Sequence, residues 1–502
     1  MANGKLILKN TVLLYIRMLF TMLINLYTSR IVLNVLGVSD FGLHNVVGGV
    51  VMMFSFLNVA MSVGIQRFFS FEIGRGESIN KLFIASIYVQ LTVAVFVAIL
   101  SETIGLWFLN NKLVVPEDRI IAANWVYQSA IVTFVLMIVT VPYSALLISK
   151  EKMNVYAYIS IADSALKLIV VYSLMYLQGD KLKIYASLLL FNSLCTAFSY
   201  IIYCSFKYKE CKYRFYSDVY IYKRLINYSV WNLFGGVSTV CNNYGINVVL
   251  NLFFGTTVNA ARGIAYQVNA AITNFTSNFQ TAMNPQIVKS YAINDYVSMQ
   301  KLIYRGSKYS FFLLLFVILP VMIHTPFLLH VWLNIVPNNS VLFTRLVLIT
   351  SLIDCISGPL MIASQASGNI RIYQSIVGSL TLLNLPLAYF LISYFNEPVY
   401  AFISSIIISI IALFVRLLIV SKLVPIKMFD FVRDVLSYVV VGGIIVSTIP
   451  FLLCYKIDHT WCDFLYVCLI CWGWASIVYF CLCTKEEKVF IYKVYSNLKN
   501  RV

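Results

Sequence analysis

Several ionisable side chains of this sequence stand inside long apolar stretches, where each costs several kcal/mol unless it pairs, snorkels or meets water. Seven are basic: Arg17, Arg30, Arg67, Lys167, Arg262, Arg345 and Arg416. Arginine stays charged and grips phosphate through two parallel donors, which makes Arg17, Arg30, Arg262 and Arg345 the candidates for attracting an anion. Arg67 and Arg416 fall near the inner ends of their stretches, where snorkelling to water accounts for them. Lys167 follows Asp163 by four residues on one helix face, so a self-neutralising pair competes there with a proton or ion site. Asp354 sits mid-stretch without a local partner, leaving both pairing with an arginine and proton coupling open. Covalent chemistry has no such candidates. GxxxxGK[ST], HExxH and GxSxG are all missing, and four histidines are few for metal work, so no catalytic residue, metal or cofactor is expected. Cys468 and Cys471 form a CxxC with no second pair or nearby histidine, which reads as packing inside an apolar helix.

Uncharged polar residues extend these candidates into stripes. With about 100° per residue and Arg262 as origin, Tyr266, Asn269, Thr273, Thr276, Ser277 and Gln280 lie within about −40° to +60°, and Gln267, Asn274, Asn278 and Thr281 widen the arc to about 160°. His44, Ser55, Asn58, Ser62 and Gln66 share one direction within about 40°, and Arg17, Thr21, Asn25 and Thr28 form a narrower stripe. Such stripes serve either as interhelical hydrogen-bond contacts or as the wall of an aqueous path; their length and width favour the second. On that reading Asn25, Asn58, Gln66, Asn269, Asn274 and Gln280 join the four arginines as substrate-binding candidates, and Asp163, Lys167 and Asp354 are candidates for ion coupling.

The elements that carry these residues are membrane spans. Of 502 residues, 60% are hydrophobic and 11% charged, about half the charged share of a soluble domain, so the chain is read as an all-α integral membrane protein. Spans are expected at roughly 10–36, 43–69, 81–108, 119–147, 154–177, 184–205, 225–253, 257–285, 307–333, 340–367, 370–393, 397–421, 433–455 and 460–483. Lys5 and Lys9 before the first run resemble a signal peptide, but the run is long and lacks a cleavage pattern, so it reads as a retained span. The net charge of +17 follows topology rather than nucleic acid binding. With an inner N-terminus, about twenty-five basic residues fall in inner segments, and only Lys112, Arg119, Lys181, Lys183 and Lys456 in outer ones, placing both termini in the cytoplasm.

Ile31-Val-Leu-Asn-Val-Leu-Gly37 pairs with Val248-Val-Leu-Asn-Leu-Phe-Phe-Gly255 at an offset of 217, then 218 after a one-residue insertion. Adding 218 to His44, Ser55, Asn58, Ser62 and Gln66 gives Arg262, Thr273, Thr276, Gln280 and Asn284, so the stripes themselves repeat. The expected organisation is two parallel, pseudo-symmetric six-helix lobes at 1–205 and 225–422, a cytoplasmic linker at 206–224, and two additional spans with a cytoplasmic tail at 423–502. Facing hydrophilic walls between the lobes would then enclose the polar path.

Asn34-Val-Leu-Gly-Val-Ser-Asp-Phe-Gly42, Gln66-Arg-Phe-Phe-Ser-Phe-Glu-Ile-Gly74, Asn259-Ala-Ala-Arg-Gly-Ile-Ala-Tyr-Gln267, Met283-Asn-Pro-Gln286 and Ala366-Ser-Gly-Asn-Ile-Arg-Ile-Tyr-Gln374 resemble the polysaccharide-transporter branch of the multidrug/oligosaccharidyl-lipid/polysaccharide (MOP) exporter superfamily. In particular, the chain looks like a Wzx-type flippase, over almost its whole length. The resemblance implies a MATE-like fold in a bacterial inner membrane and export of undecaprenyl-pyrophosphate-linked oligosaccharide for O-antigen, capsule or another lipopolysaccharide-type surface glycan. It further implies working partners such as a polysaccharide polymerase and chain-length proteins. These strings identify a class and assign no role to any single arginine. The rivals are a cation-coupled multidrug exporter of the same superfamily, whose substrates favour acidic and aromatic linings, and a membrane polysaccharide polymerase. The polymerase would need a sizeable outer loop, whereas the outer loops here span about a dozen residues or fewer.

Overall fold

The computed structural model describes residues 4–52, 54–111, 117–211, 219–254, 256–333, 336–454 and 460–482. Among these there is no β-strand, and ten helices are long and apolar enough to cross a membrane. The chain is a multi-pass membrane protein. In order, the helices are α1 (Gly4–Met52), α2 (Ser55–Arg75), α3 (Asn80–Leu100), α4 (Leu106–Asn111), α5 (Ile120–Ser149), α6 (Met153–Tyr176), α7 (Lys181–Lys207), α8 (Val219–Phe254) and α9 (Thr256–Ala292). There follow α10 (Tyr296–Ile323), α11 (Thr325–Trp332), α12 (Ser340–Ser367), α13 (Ile370–Phe395), α14 (Tyr400–Leu423), α15 (Met428–Phe431), α16 (Ser437–Cys454) and α17 (Trp461–Leu482).

Each of the fourteen expected spans has a helical counterpart, and the differences have local causes. Gly37, at φ 77° and ψ 168°, leaves the helical region where the first span should end, so α1 is two helices that meet at a glycine kink. The second span then runs through the end of α1 and α2. Single π-helical turns at Ser101–Gly105 and Val432–Leu436 interrupt the third and thirteenth spans. At the first of these, Tyr127 of α5 donates its hydroxyl to the Ser101 carbonyl at 2.7 Å, satisfying an acceptor that the π turn displaces. Elsewhere ends are set by local caps. Gly76 takes the left-handed conformation after α2, and Asp180 accepts from the Leu182 and Lys183 amides at the start of α7.

Two compact units divide the chain by packing. Unit 1 comprises Met1–Ser238, Thr281–Met299 and Gln365–Gly378; unit 2 comprises Thr239–Gln280, Gln300–Ser364 and Ser379–Val502. Unit 1 therefore holds all of the first expected lobe, the first part of α8, and two segments from the second half of the sequence. Its interior is built from aromatic and branched side chains, Phe68, Phe69, Phe83, Leu146 and Tyr228 in one cluster and Val47, Val97, Tyr127, Phe134 and Ile138 in another. At one end of it Arg119 bridges Asp40 at 2.9 Å and Asp180 at 3.5 Å. Unit 2 packs Ile246, Leu250, Ala265, Phe343 and Phe402 together, the two phenylalanines stacked 4.3 Å apart. Large apolar side chains such as Leu23, Val95, Ile121, Tyr176, Phe206 and Leu469 remain exposed on the helices, as expected where lipid is the solvent.

Candidate functional site

The two least apolar long helices are α2 and α9, the ones whose sequences carry the widest stripes. On α9 the exposed positions within 263–277 are Gly263, Gln267, Ala270, Asn274 and Ser277, a straight strip without a large apolar side chain. Lipid-facing strips on neighbouring helices are lined by Leu, Ile and Phe, so this strip is suited to water or to a hydroxyl-rich ligand. Beside it Arg262 is only 5% exposed. Its Nη1 donates to Asn247 Oδ1 at 2.6 Å and its guanidinium carbon lies 4.4 Å from the centre of the Tyr266 ring. Nε and Nη2 have no hydrogen-bond partner among the described residues, which leaves two buried donors to be satisfied. Asn259 braces the same turn by donating to the Asn247 carbonyl at 3.1 Å.

Not all of the α9 stripe is open. Asn269 accepts from Ser351 at 2.6 Å, and Gln280 Nε2 donates to Ser310 Oγ and to the Cys355 carbonyl, each at 3.1 Å. A Cβ at Gly358 would lie 2.4 Å from the Gln280 amide, so that glycine exists to admit it. These two residues do interhelical work, while Asn274 is exposed, donates to no other helix among the described residues and lends its carbonyl to Asn278. The sequence offered both roles for one stripe; the structure divides them by direction around the helix.

In unit 1, Arg17 is half-buried with its guanidinium 4.9 Å from the Tyr156 ring centre. Asn25 is exposed, Asn58 is buried, and Gln66 accepts at its carbonyl from Ser149 at 3.1 Å. Arg30 lies on α1, with its side chain outside the described set. In unit 2, Arg345 donates from Nε to the Met322 carbonyl at 3.0 Å, capping the end of α10 just before the chain turns into α11. Arg17 and Arg262 are each paired with an aromatic face and share a helix side with uncharged polar groups; Arg345 instead serves a helix end.

The two carboxylates expected to couple an ion are both engaged. Asp163 meets Lys167 at 2.7 Å and accepts from Asn192 and Thr196 of α7 at 2.8 and 2.9 Å. Asp354 lies 3.6 Å from Arg416 of α14. Sequence reasoning placed Arg67 and Arg416 as snorkelling cations. The structure instead buries Arg67 to 5% exposure against backbone carbonyls and gives Arg416 a carboxylate. Asn192, Thr196 and Asn247 were not anticipated. The four-residue spacing of Asn192 and Thr196 marks one face of α7 and was the available signal.

No protein-family model matches the chain, and no curated protein matches it by sequence. Solved structures do match by shape. An outward-facing multidrug resistance MATE family transporter of the MOP superfamily superposes with a TM-score of 0.74 at 15% identity, covering 84% of this chain and 96% of that one. The chain has the fold of the MATE transporters. A MATE in complex with MaD3S gives a TM-score of 0.71 at 14% identity, with the same coverage. A MOP superfamily transporter from Pyrococcus furiosus Vc1, described as having a binding pocket of reverse polarity that suggests a different function, gives 0.70 at 14%, again over 84% of this chain and 96% of that one. The all-helical, MATE-like fold read from the sequence agrees with these superpositions.

Proposed function

We propose that this protein is a transporter of the polysaccharide branch of the MOP superfamily, carrying undecaprenyl-pyrophosphate-linked oligosaccharide from the cytoplasmic to the outer leaflet of a bacterial inner membrane by alternating access. The observation that carries this reading is the sign of the charge around Arg262. α8 and α9 contain no Asp or Glu, yet α9 buries Arg262 with two unpartnered donors beside a strip of amides and hydroxyls. A pyrophosphate satisfies such donors through charge-assisted bonds, and glycan hydroxyls suit Gln267, Asn274 and Ser277. An organic cation suits neither. That the fold accommodates more than one pocket polarity is consistent with the Pyrococcus furiosus neighbour.

Arg262 draws in the pyrophosphate, Gln267, Asn274 and Ser277 hold the glycan loosely, and the polyprenyl tail stays in lipid; Arg17 is a separate candidate anion contact within unit 1. A negative cell interior favours outward movement of the anion by about 2.3 kcal/mol per charge per 100 mV, so the potential supplies a driving force without a nucleotide. A polymerase and chain-length proteins would then use the delivered lipid-linked units.

Depleting the protein in its native cell and following lipid-linked oligosaccharide by leaflet-selective labelling tests the reading. Intact precursor trapped on the cytoplasmic face is expected. Precursor that reaches the outer face but stays unpolymerised would assign the protein to a later step, and unchanged precursor would return the multidrug exporter as the better description. With trapping established, neutralising Arg17 or Arg262 should slow flipping while membrane insertion persists; normal transport in both variants sinks the assignment of these two residues.

A further inference from the structure

The start of α8 and two segments from the second half of the sequence fold into unit 1, and a different charged residue from nearer the N-terminus holds each of the three. Glu72 of α2 meets Arg224 of α8 at 3.4 Å. Glu151, on the turn between α5 and α6, accepts from Lys289 and Gln286 of α9, while its backbone carbonyl takes Asn10 of α1 at 3.4 Å. Arg67 of α2 donates from Nε to the Gln365 carbonyl at 2.9 Å and from Nη2 to the Ala366 carbonyl at 2.7 Å, at the C-terminal end of α12.

The fit around these contacts is specific. A Cβ on Gly74 would lie 2.8 Å from Lys289 Cα, so α2 and the end of α9 touch through a bare backbone. Glu151 stands at φ 59°, in the left-handed position that ends α5 and that glycine would occupy at less cost. The strained backbone places its carboxylate on Lys289. Gly368, at φ 79°, leaves room for the Arg67 guanidinium, since a Cβ there would lie 2.7 Å from Nη2.

Two of the clamps are compensated ion pairs. Arg67 is different: its hydrogen bonds go to carbonyl dipoles, and its faces lie 4.7, 4.8 and 5.5 Å from the Phe68, Phe71 and Tyr228 ring centres. No carboxylate bonds it among the described residues. The partial negative charge of a helix C-terminus is thus its main hydrogen-bonded counter-charge. If the α12 end withdraws, a buried guanidinium is left with two free donors in a ring-lined seat, an arrangement matched to a phosphate edge.

We propose that these three clamps form a latch on the inner face, closed in this structure, and that its release hands the Arg67 guanidinium from the α12 carbonyls to the pyrophosphate of an incoming polyprenyl-linked substrate. The latch is argued from geometry alone; the identity of the anion rests on the function proposed above. Release exchanges one set of oxygen acceptors for another, so an anionic headgroup lowers the cost of opening while a neutral lipid does not. The substrate is therefore the key to its own admission.

Hydrogen exchange on the full-length protein in nanodiscs tests both halves, with geranylgeranyl pyrophosphate as probe and geranylgeraniol as its uncharged counterpart. Glu151→Gln should raise exchange at 281–292 and 365–374 several-fold without any probe, leaving α5 at the wild-type rate; unchanged exchange in those segments overturns the latch. In the wild type the pyrophosphate should raise exchange in the same segments and the alcohol should not. Arg67→Lys, which keeps the charge but loses the two-pronged geometry, should require roughly ten-fold more pyrophosphate. An equal response to the alcohol, or an undiminished response in Arg67→Lys, overturns the hand-over. If the pyrophosphate has no effect on the wild type although depletion traps lipid-linked precursor in cells, the hand-over is wrong and the flippase stands. If depletion traps nothing either, the flippase reading falls as well, and the latch is judged by Glu151→Gln alone.

Discussion

Lys167 Nζ lies 2.7 Å from Asp163 Oδ2, one turn along α6, while the other carboxylate oxygen accepts from Asn192 and Thr196 of α7. A carboxylate at membrane depth is thereby given three donors, one of them a full positive charge. The arrangement is a structural tie between α6 and α7 in which the counter-ion is part of the chain. Lys167→Met should therefore destabilise the protein by roughly 1–3 kcal/mol, less than a fully buried pair would because Lys167 is 39% exposed. The double variant Asp163→Asn with Lys167→Met should recover most of that loss. Thermal unfolding of the two single variants and the double variant in one detergent measures the coupling. A Lys167→Met protein as stable as the wild type would free Asp163 for ion coupling.

The two roles found along α9 separate in a second experiment. Gln280→Leu removes a donor shared by Ser310 and Cys355 and pushes a branched side chain onto Gly358, so a loss of roughly 2 kcal/mol is expected. Asn274→Leu and Gln267→Leu alter exposed positions with no partner across helices, and stability should stay within about 0.5 kcal/mol of wild type. Their effect should fall on transport of the lipid-linked glycan instead. Unfolding temperature and flipping rate, measured on the same three proteins, should rank them in opposite orders.

That division shows where the sequence could be read and where it could not. Period and hydropathy put a helix at each of the fourteen expected positions, since apolar length is a local property, and they marked α2 and α9 as the helices with the widest polar stripes. Which member of a stripe is open depends on the helices packed beside it: Asn269 points to the side where Ser351 stands, and Asn274, about 140° round the helix, does not. Arg67 was misread for the same reason. Its position near a helix end suggested snorkelling, but the carbonyls that bury it come from about 300 residues away, at Gln365 and Ala366. Glu151 drew no notice at all, because its left-handed backbone and its contact with Lys289 are both products of tertiary structure.

Outside the spans, one carboxylate gives a pH signature. Burial pushes the Glu210 carboxyl up, but the Lys150 ammonium at 2.6 Å outweighs it and holds the group below its ordinary value of 4.5. A pKa lowered by folding contributes stability that is present above the unfolded value and is lost as pH falls through the folded one. Wild type should thus exceed Glu210→Gln by roughly 0.5–1 kcal/mol near neutrality, with the two converging below pH 4.5. Unfolding temperatures of both proteins across pH 3 to 7 check the window; a gap that persists at the acid end would show that the Lys150 pair is not its source.

Gly74 offers the sharpest steric test of the contacts between α2 and the end of α9. An added Cβ would meet Lys289 Cα at 2.8 Å and Ala292 Cβ at 2.9 Å, and the first of these is backbone that no rotamer change can move. Gly74→Ala should therefore displace the end of α9 from α2 and cost roughly 1–3 kcal/mol of local packing. The effect should be confined: Glu151 loses its hold on Lys289, and exchange rises at 281–292, while the α5–α7 packing keeps its protection. Gly76→Ala, two residues on, meets open space and carries only the backbone penalty of its φ of 75°, so it serves as the control for helix-end strain alone. If both alanines raise exchange at 281–292 equally, the close crossing at Gly74 is not what holds α9 in place.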